Sequence, residues 1–301
     1  MSFELENLCG WRNDKYEEAF AALSHRFLAS LPLTRSPAEK GPPIWEFAKR
    51  VYGKHLPTWF QQTGDCVSMG ATNAGQYLSC FQIGALRREQ KFRLWFPPYI
   101  YATSRVDVGR GALGRSAGST GAWAVESMRK LGVLFMDDQR VPQYSGNLAD
   151  EWGYRGAPAE FKSLARDNPV FEAAPVRTAD EVKIALDNYW PCTYAIMWYY
   201  GQGATEYRGH RVMQRQGRAV GGHQVCLLFW NDEIDGAYCL NSWGEDAHRG
   251  PTSKYDEPPG GAYILRRDLE RDLQQNQVEV YALKGFEGEP DASWWGLFGR
   301  P

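Results

Sequence analysis

The pattern of apolar and polar positions divides the chain into a helical first half and a strand-rich second half. Residues 14–30 place Tyr16, Phe20, Leu23 and Phe27 at helical spacing behind Asp14, a residue type that caps helix N-termini. Residues 36–43 are rich in Pro and Gly and read as a linker. From Cys66 to about Gln90, a stripe of Val67, Ala71, Ala74, Leu78, Phe81 and Ala85 predicts a long helix with Asp65 at its N-cap. Gly70 and Gly75 lie inside it, where each costs up to ~1 kcal/mol against Ala. Tolerating that cost implies close packing, so this helix is expected to be buried between two lobes.

A second helix is predicted over residues 121–131, closed by Gly132, and a third over 178–189, opened by Thr178 and acids. Strands are predicted over 191–200, 224–230, 237–241, 262–266 and 278–283, with 231–236 as a hairpin turn. Residues 133–175 show weak periodicity, and 201–222 read as a polar connection. This order of elements gives an α+β fold. It divides into an N-terminal helical arm and linker (1–43), a helical lobe (44–175), a β lobe (176–285) and a flexible tail (286–301). The arm is either a removable segment covering a groove or, as its shortness favours, a permanent part of the fold. The tail carries Trp294, Trp295, Leu297 and Phe298, which either tuck back onto the protein or dock on a protein partner.

Composition narrows the function classes. The 301 residues are 43% hydrophobic and 23% charged, with net charge −2. This balance gives no reason to expect nucleic acid or an anionic membrane as partner. No run approaches the ~20 apolar residues of a membrane span, and the N-terminus lacks a signal-peptide pattern. Six cysteines are scattered without metal-site spacing. They predict neither a disulfide framework nor a metal site, and a reducing, cytoplasmic location fits them. No cofactor motif is present. The 12 Trp and 16 Tyr are read as core.

Three short motifs carry the candidate chemistry. Gly64-Asp65-Cys66 opens the long helix, Gly221-Gly222-His223 opens a strand, and Asn241-Ser242-Trp243-Gly244 follows 18 positions after the histidine. A cysteine, a histidine and an asparagine are the parts of a thiolate nucleophile, its base and the base's orienter. A thiol in the first turn of a helix has its pKa lowered by the positive end of the dipole. The plainer readings are an inert buried Cys66, a strand histidine satisfied by a carbonyl, and an Asn241 that ends a strand. Cys80, deeper in the same helix, is read as structural. His25, His55, His210 and His248 lack such context and are read as structural or surface residues. Asp65 opposes a thiolate beside it unless its carboxylate turns to cap the helix.

At these residues the sequence resembles the papain-like cysteine peptidases. That family has a Gln ahead of a Gly-x-Cys step, a Gly-Gly-His, an Asn-Ser-Trp-Gly and a later Gly-Gly-Tyr. Here these correspond to Gln61 or Gln62, Cys66, His223, residues 241–244, and Gly260-Gly261-Ala262-Tyr263. The likeness runs patchily from about residue 44 to 283. The 157 positions between Cys66 and His223 suit groups on separate lobes and argue against the NlpC-type cell-wall peptidases. Several positions depart from the pattern. The family's Gln lies six positions before the Cys, Val67 replaces its Trp, and Thr63 replaces a Cys common in secreted members. A Pro- and charge-rich insertion occupies residues 245–259.

The resemblance implies a papain-like fold, a helical lobe and an antiparallel β-barrel-like lobe with the site in the cleft between them. It implies a cysteine peptidase acting on peptide or protein substrates through a thioester. Cys66 is then the nucleophile, His223 its base, Asn241 the orienter, and Gln61, nearer the family spacing than Gln62, the oxyanion donor. Trp243 is expected to shield the His–Asn bond from water. Two other classes are carried. One is an amide hydrolase or acyltransferase on the same residues. The other is a catalytically weak structural or assembly protein, for example of a phage or other particle, docking through its tail. The lack of secretion features suggests a bacterial or phage source, and a virion- or particle-associated location is carried beside the cytoplasmic one.

Overall fold

The computed structural model describes residues 5–22, 41–86, 91–249 and 254–286. Much of the first predicted helix, His25 and the Trp-rich stretch of the tail lie outside these residues. In chain order, the helices of the first half are α1 (Tyr16–Ala22), α2 (Ile44–Tyr52), α3 (Cys66–Leu86), α4 (Pro97–Ala102), α5 (Gly121–Leu131), α6 (Gly146–Arg155) and α7 (Ala159–Ala165). Then come β1 (Val170–Pro175), α8 (Ala179–Asp187), β2 (Cys192–Trp198), β3 (Tyr200–Tyr207), β4 (His210–Arg215), β5 (Gly221–Asn231), β6 (Gly236–Leu240), β7 (Gly261–Leu265), α9 (Arg266–Leu273) and β8 (Glu279–Phe286).

The strands form one sheet in the order β1-β8-β2-β5-β6-β7-β4-β3. Pairing is antiparallel except between β4 and β7, which run parallel at Val212 and Tyr263. The sheet starts with β1, ahead of residue 176 where the β half was expected to begin, because β1 pairs along β8 from Val170 to Pro175.

Strand β5 sits at the centre and is covered on both faces. Cys226 and Leu228 point into a core shared with α2, α3 and α5, while Val225 and Leu227 point into a second core under α8 and α9. This is the two-residue alternation of a strand with both faces buried. Helix α3 lies against β5, and its glycines explain how closely. A Cβ on Gly70 would stand 2.9 Å from the Val225 carbonyl oxygen, and one on Gly75 would overlap the Trp95 ring at 2.0 Å. The close packing expected of these glycines is present.

Helix starts follow local chemistry. Thr120 accepts from the Trp123 N–H at the start of α5, and Thr178 with Glu181 forms a reciprocal capping box on α8. Two local expectations are corrected. Asp14 pairs with Arg12 at 2.7 Å inside a short 3₁₀ turn instead of capping a helix. Residues 201–222 contain the β3–β4 hairpin. Its outer strand is largely exposed and therefore polar, which hid it in the sequence.

Candidate active site

The site forms where the start of α3 meets the start of β5. The Asp65 side chain accepts no capping N–H from α3. Its backbone carbonyl accepts from Ser68 and Met69, and its carboxylate turns away to accept from the Tyr144 hydroxyl at 3.0 Å. That carboxyl is fully buried, so desolvation raises its pKa to about 8 against the pull of Tyr144. When ionised, the carboxylate acts with burial in raising the Cys66 thiol.

Cys66 itself is buried, and burial raises its thiol to about 12. The backbone N–H groups of Gln224, Gly10 and Val67 face the sulfur and act in the opposite sense. Gln224 follows His223 on β5, so the residue next to the histidine meets the sulfur, while His223 Nδ1 makes no hydrogen bond to it. The Gln224 side chain ties the two elements together by donating to the Val67 carbonyl at 2.8 Å.

His223 and Asn241 are in contact, with Nε2 of the ring 2.9 Å from Oδ1 of the amide. Oδ1 also accepts the backbone N–H of Ser242 at 2.7 Å, which fixes the amide's orientation. An acceptor at that place requires the proton on His223 Nε2. Nδ1 is left without a hydrogen-bond partner, as a free base. Trp243 stacks on the imidazole with ring centroids 4.7 Å apart, and Trp198 meets it edge-on at 5.2 Å. Both indoles exclude water from the His–Asn bond, as expected of Trp243. Burial lowers the His223 pKa to about 4, with the Asn241 bond opposing.

The two candidate glutamines separate cleanly. Residues 59–61 pair with the Asn-Ser-Trp-Gly stretch: Gln61 donates its N–H to the Ser242 carbonyl at 2.8 Å and Gly244 donates to Trp59 at 2.9 Å. The Ser242 hydroxyl donates to Gln61 Oε1 at 2.6 Å, so the amide nitrogen faces the cleft. Gln62 points elsewhere, its Oε1 accepting from Gly146. His223 is joined to Asn241, Gln61 to the Ser242 that follows Asn241, and Cys66 to the backbone of Gln224, which follows His223.

What sequence reasoning missed is a strap across this place. Residues 8–12 run through the cleft. Gln61 Nε2 donates to the Leu8 carbonyl at 2.7 Å, Gly10 N–H donates to Cys66 Sγ at 3.2 Å, and Trp11 N–H donates to the Gly222 carbonyl at 2.9 Å. On the opposite wall Ser119 donates to Gly10 and Arg12 to Ser119, at 2.8 and 2.9 Å. The Trp11 indole enters a buried recess and donates to Glu279, whose carboxylate also accepts the Gly121 and Ala122 N–H groups at the start of α5. The group that faces the sulfur is an N–H, not an electrophilic carbonyl carbon. The strap is held and not positioned for attack, and it covers the thiol.

Among the described residues no cluster of His, Cys, Asp or Glu is arranged to hold a metal ion. Among them no helix is long and apolar enough to cross a membrane.

No family model matches the chain, and no curated protein matches it by sequence. Solved structures do. Xylellain, a cysteine protease from Xylella fastidiosa, is 14% identical with a TM-score of 0.65, over 94% of this chain and 98% of its own. Procathepsin B S9 from Trypanosoma congolense is 13% identical with a TM-score of 0.58, over 93% of this chain and 87% of its own. The ragweed pollen allergen Amb a 11, a cysteine protease in its proform, is 14% identical with a TM-score of 0.58, over 96% of this chain and 80% of its own. The chain has the papain-like cysteine protease fold.

Proposed function

We propose that this chain is a cysteine peptidase whose cleft is closed by its own strap at residues 8–12. The observation that supports this most is the His223–Asn241 bond, shielded by Trp243, on the strand whose next residue, Gln224, meets the cysteine in the first turn of α3. Once the strap leaves, water reaches the pair. The helix terminus and the neighbouring N–H groups then favour the thiolate, with the proton held on His223 Nδ1.

The thiolate attacks the substrate carbonyl carbon, and the C=O electron pair moves onto oxygen. Gln61 Nε2–H and the Cys66 backbone N–H donate to that oxyanion, where one donor is typically worth ~3–4 kcal/mol. The tetrahedral species collapses as the C–N bond breaks, and His223 delivers its proton to the departing amine. Water, deprotonated by His223, then attacks the thioester and releases the acid and the thiol. Two of the similar structures are described as proforms. A closed precursor is the corresponding reading of the strap.

The test is intact-mass labelling with a thiol-directed amide-mimic inhibitor on the strap-loosened Trp11→Ala protein, alone and with Cys66→Ala or His223→Ala. Single labelling that vanishes with Cys66→Ala and slows sharply with His223→Ala is expected. The dry, neutral pair of the closed state also suits a papain-like fold kept for assembly. Slow, unselective labelling after loosening selects that reading.

A further inference from the structure

The histidine at 248 lies in the insertion that interrupts the motif after Asn241, and nothing in the peptidase scheme uses it. Its ring is fully buried, and Nε2 is 2.9 Å from Asn241 Nδ2. Because Oδ1 of that amide is committed to Ser242 and His223, Nδ2 is the donor and His248 Nε2 the acceptor. The Gly203 carbonyl faces the His248 ring and favours a proton on its other nitrogen, although no well-formed hydrogen bond is made there. Trp243 lies parallel to both imidazoles, 4.7 Å from His223 and 6.1 Å from His248, and Trp198 closes the same group edge-on.

The backbone is bent to achieve this. His248 has φ +55°, a left-handed conformation that costs a non-glycine residue free energy and persists where surroundings impose it. Its N–H donates to Gln202 at 2.5 Å, and Ala204 donates to Arg249, so the insertion is pinned to β3 on both sides of the ring.

We infer that His248 is a positioning residue for the Cys66–His223 pair, acting through Asn241 as the acceptor that holds its amide in one orientation. The inference rests on the peptidase reading for its kinetic consequence. Without an acceptor at 248, Nδ2 is buried with no partner, and the flipped orientation is opposed only by the Ser242 N–H on Oδ1. In the flipped orientation Nδ2 meets His223 Nε2. The ring then moves its proton to Nδ1 and can no longer take one from the thiol. Protonating His248 has the same effect, since an imidazolium at that place must be met by Oδ1. Burial, with His223 and Arg211 facing the ring, keeps His248 neutral, its pKa lowered to about 3.

The test uses the full-length Trp11→Ala chain, alone and with His248→Leu or His248→Gln. Gln keeps an acceptor and Leu removes it. The rate of Cys66 carboxymethylation is followed against pH by intact mass. Histidine ¹⁵N–¹H correlation spectra of each protein, and of the wild type, report the tautomers. His248→Leu is expected to slow labelling at least tenfold, move its acid limb upward, and shift His223 toward the Nδ1–H tautomer. His248→Gln is expected to stay within threefold. Equal losses for Leu and Gln, or a Leu variant with the parent pH profile, overturn the inference. So does a wild-type spectrum with the proton on His248 Nε2, which decides the matter even if His248→Leu does not fold. Unselective labelling of the Trp11→Ala parent instead counts against the peptidase reading, and the tautomer spectra then still judge His248.

Discussion

Trp11 and Glu279 are 268 positions apart in sequence and meet at 2.5 Å, indole N–H to carboxylate, with both side chains buried. Truncating a buried Trp to Ala costs ~3–5 kcal/mol where the surroundings do not relax. Here the strap can detach instead, so Trp11→Ala is expected to express most of that loss as local opening. Cys66 labelling should rise at least a hundredfold while the melting temperature changes little. Hydrogen exchange of residues 8–12 and intact-mass labelling check both halves.

Gly10→Ala is expected to open the same cleft by a different route. A Cβ there would stand 1.8 Å from the Gly64 carbonyl oxygen, backbone against backbone, with no flexible end to give way. The strap must lift, although the substitution removes none of its contacts. Trypsin cleavage after Arg12, slow in the wild type and fast in the variant, reports it.

Asp65→Asn is expected to stabilise the protein increasingly with pH. The folded carboxyl, raised to about 8 by burial, keeps its proton over a range in which the unfolded carboxyl, near 4, has lost it. Between those values the folded state binds more protons, so wild-type stability falls as pH rises from about 4 to about 8. The asparagine variant does not titrate there. Its advantage should grow by on the order of 1 kcal/mol per pH unit through that window and level off above it. Urea unfolding at a series of pH values measures this.

Arg105→Lys is expected to behave as a severe substitution. The buried guanidinium donates to the carbonyls of Gly153, Gly118, Gly114 and Ser116 and to the Tyr101 hydroxyl, holding the turn that leads to Ser119. A lysine ammonium has three donors and no planar fork. A loss of about 3 kcal/mol by denaturant unfolding is expected, with faster exchange at Ser119 and Arg12, because the wall that grips the strap loosens.

Local chemistry made much of this architecture readable. The stripe from Val67 to Ala85, the cap at Thr178 and the close-packed glycines of α3 each act within a few residues, and each is where its pattern put it. The place of Gln61 was half readable, since the family spacing favoured it over Gln62 and its bonds to Ser242 exist only once the fold has formed. Helix α9, with the sequence RRDLERDL, escaped because only Asp268, Leu269 and Asp272 are buried on it. The strap escaped for another reason. Leu8, Gly10 and Trp11 have no local pattern, and their significance lies in contacts with Gln61, Cys66, Gly222 and Glu279 made only after the fold exists. His248 escaped likewise, since a histidine inside a charged insertion gives no sign that its backbone will fold back onto Asn241.

The N–H of Gly10 on Cys66 Sγ also bears on how long the protein keeps. Peroxide and disulfides react with the thiolate, and sulfenic acid is the first rung of an oxidation series whose later rungs are irreversible. A protonated, dry sulfur with a donor seated on it does not enter that series. The packing that closes the cleft therefore preserves the sulfur in its reduced state until the cleft opens.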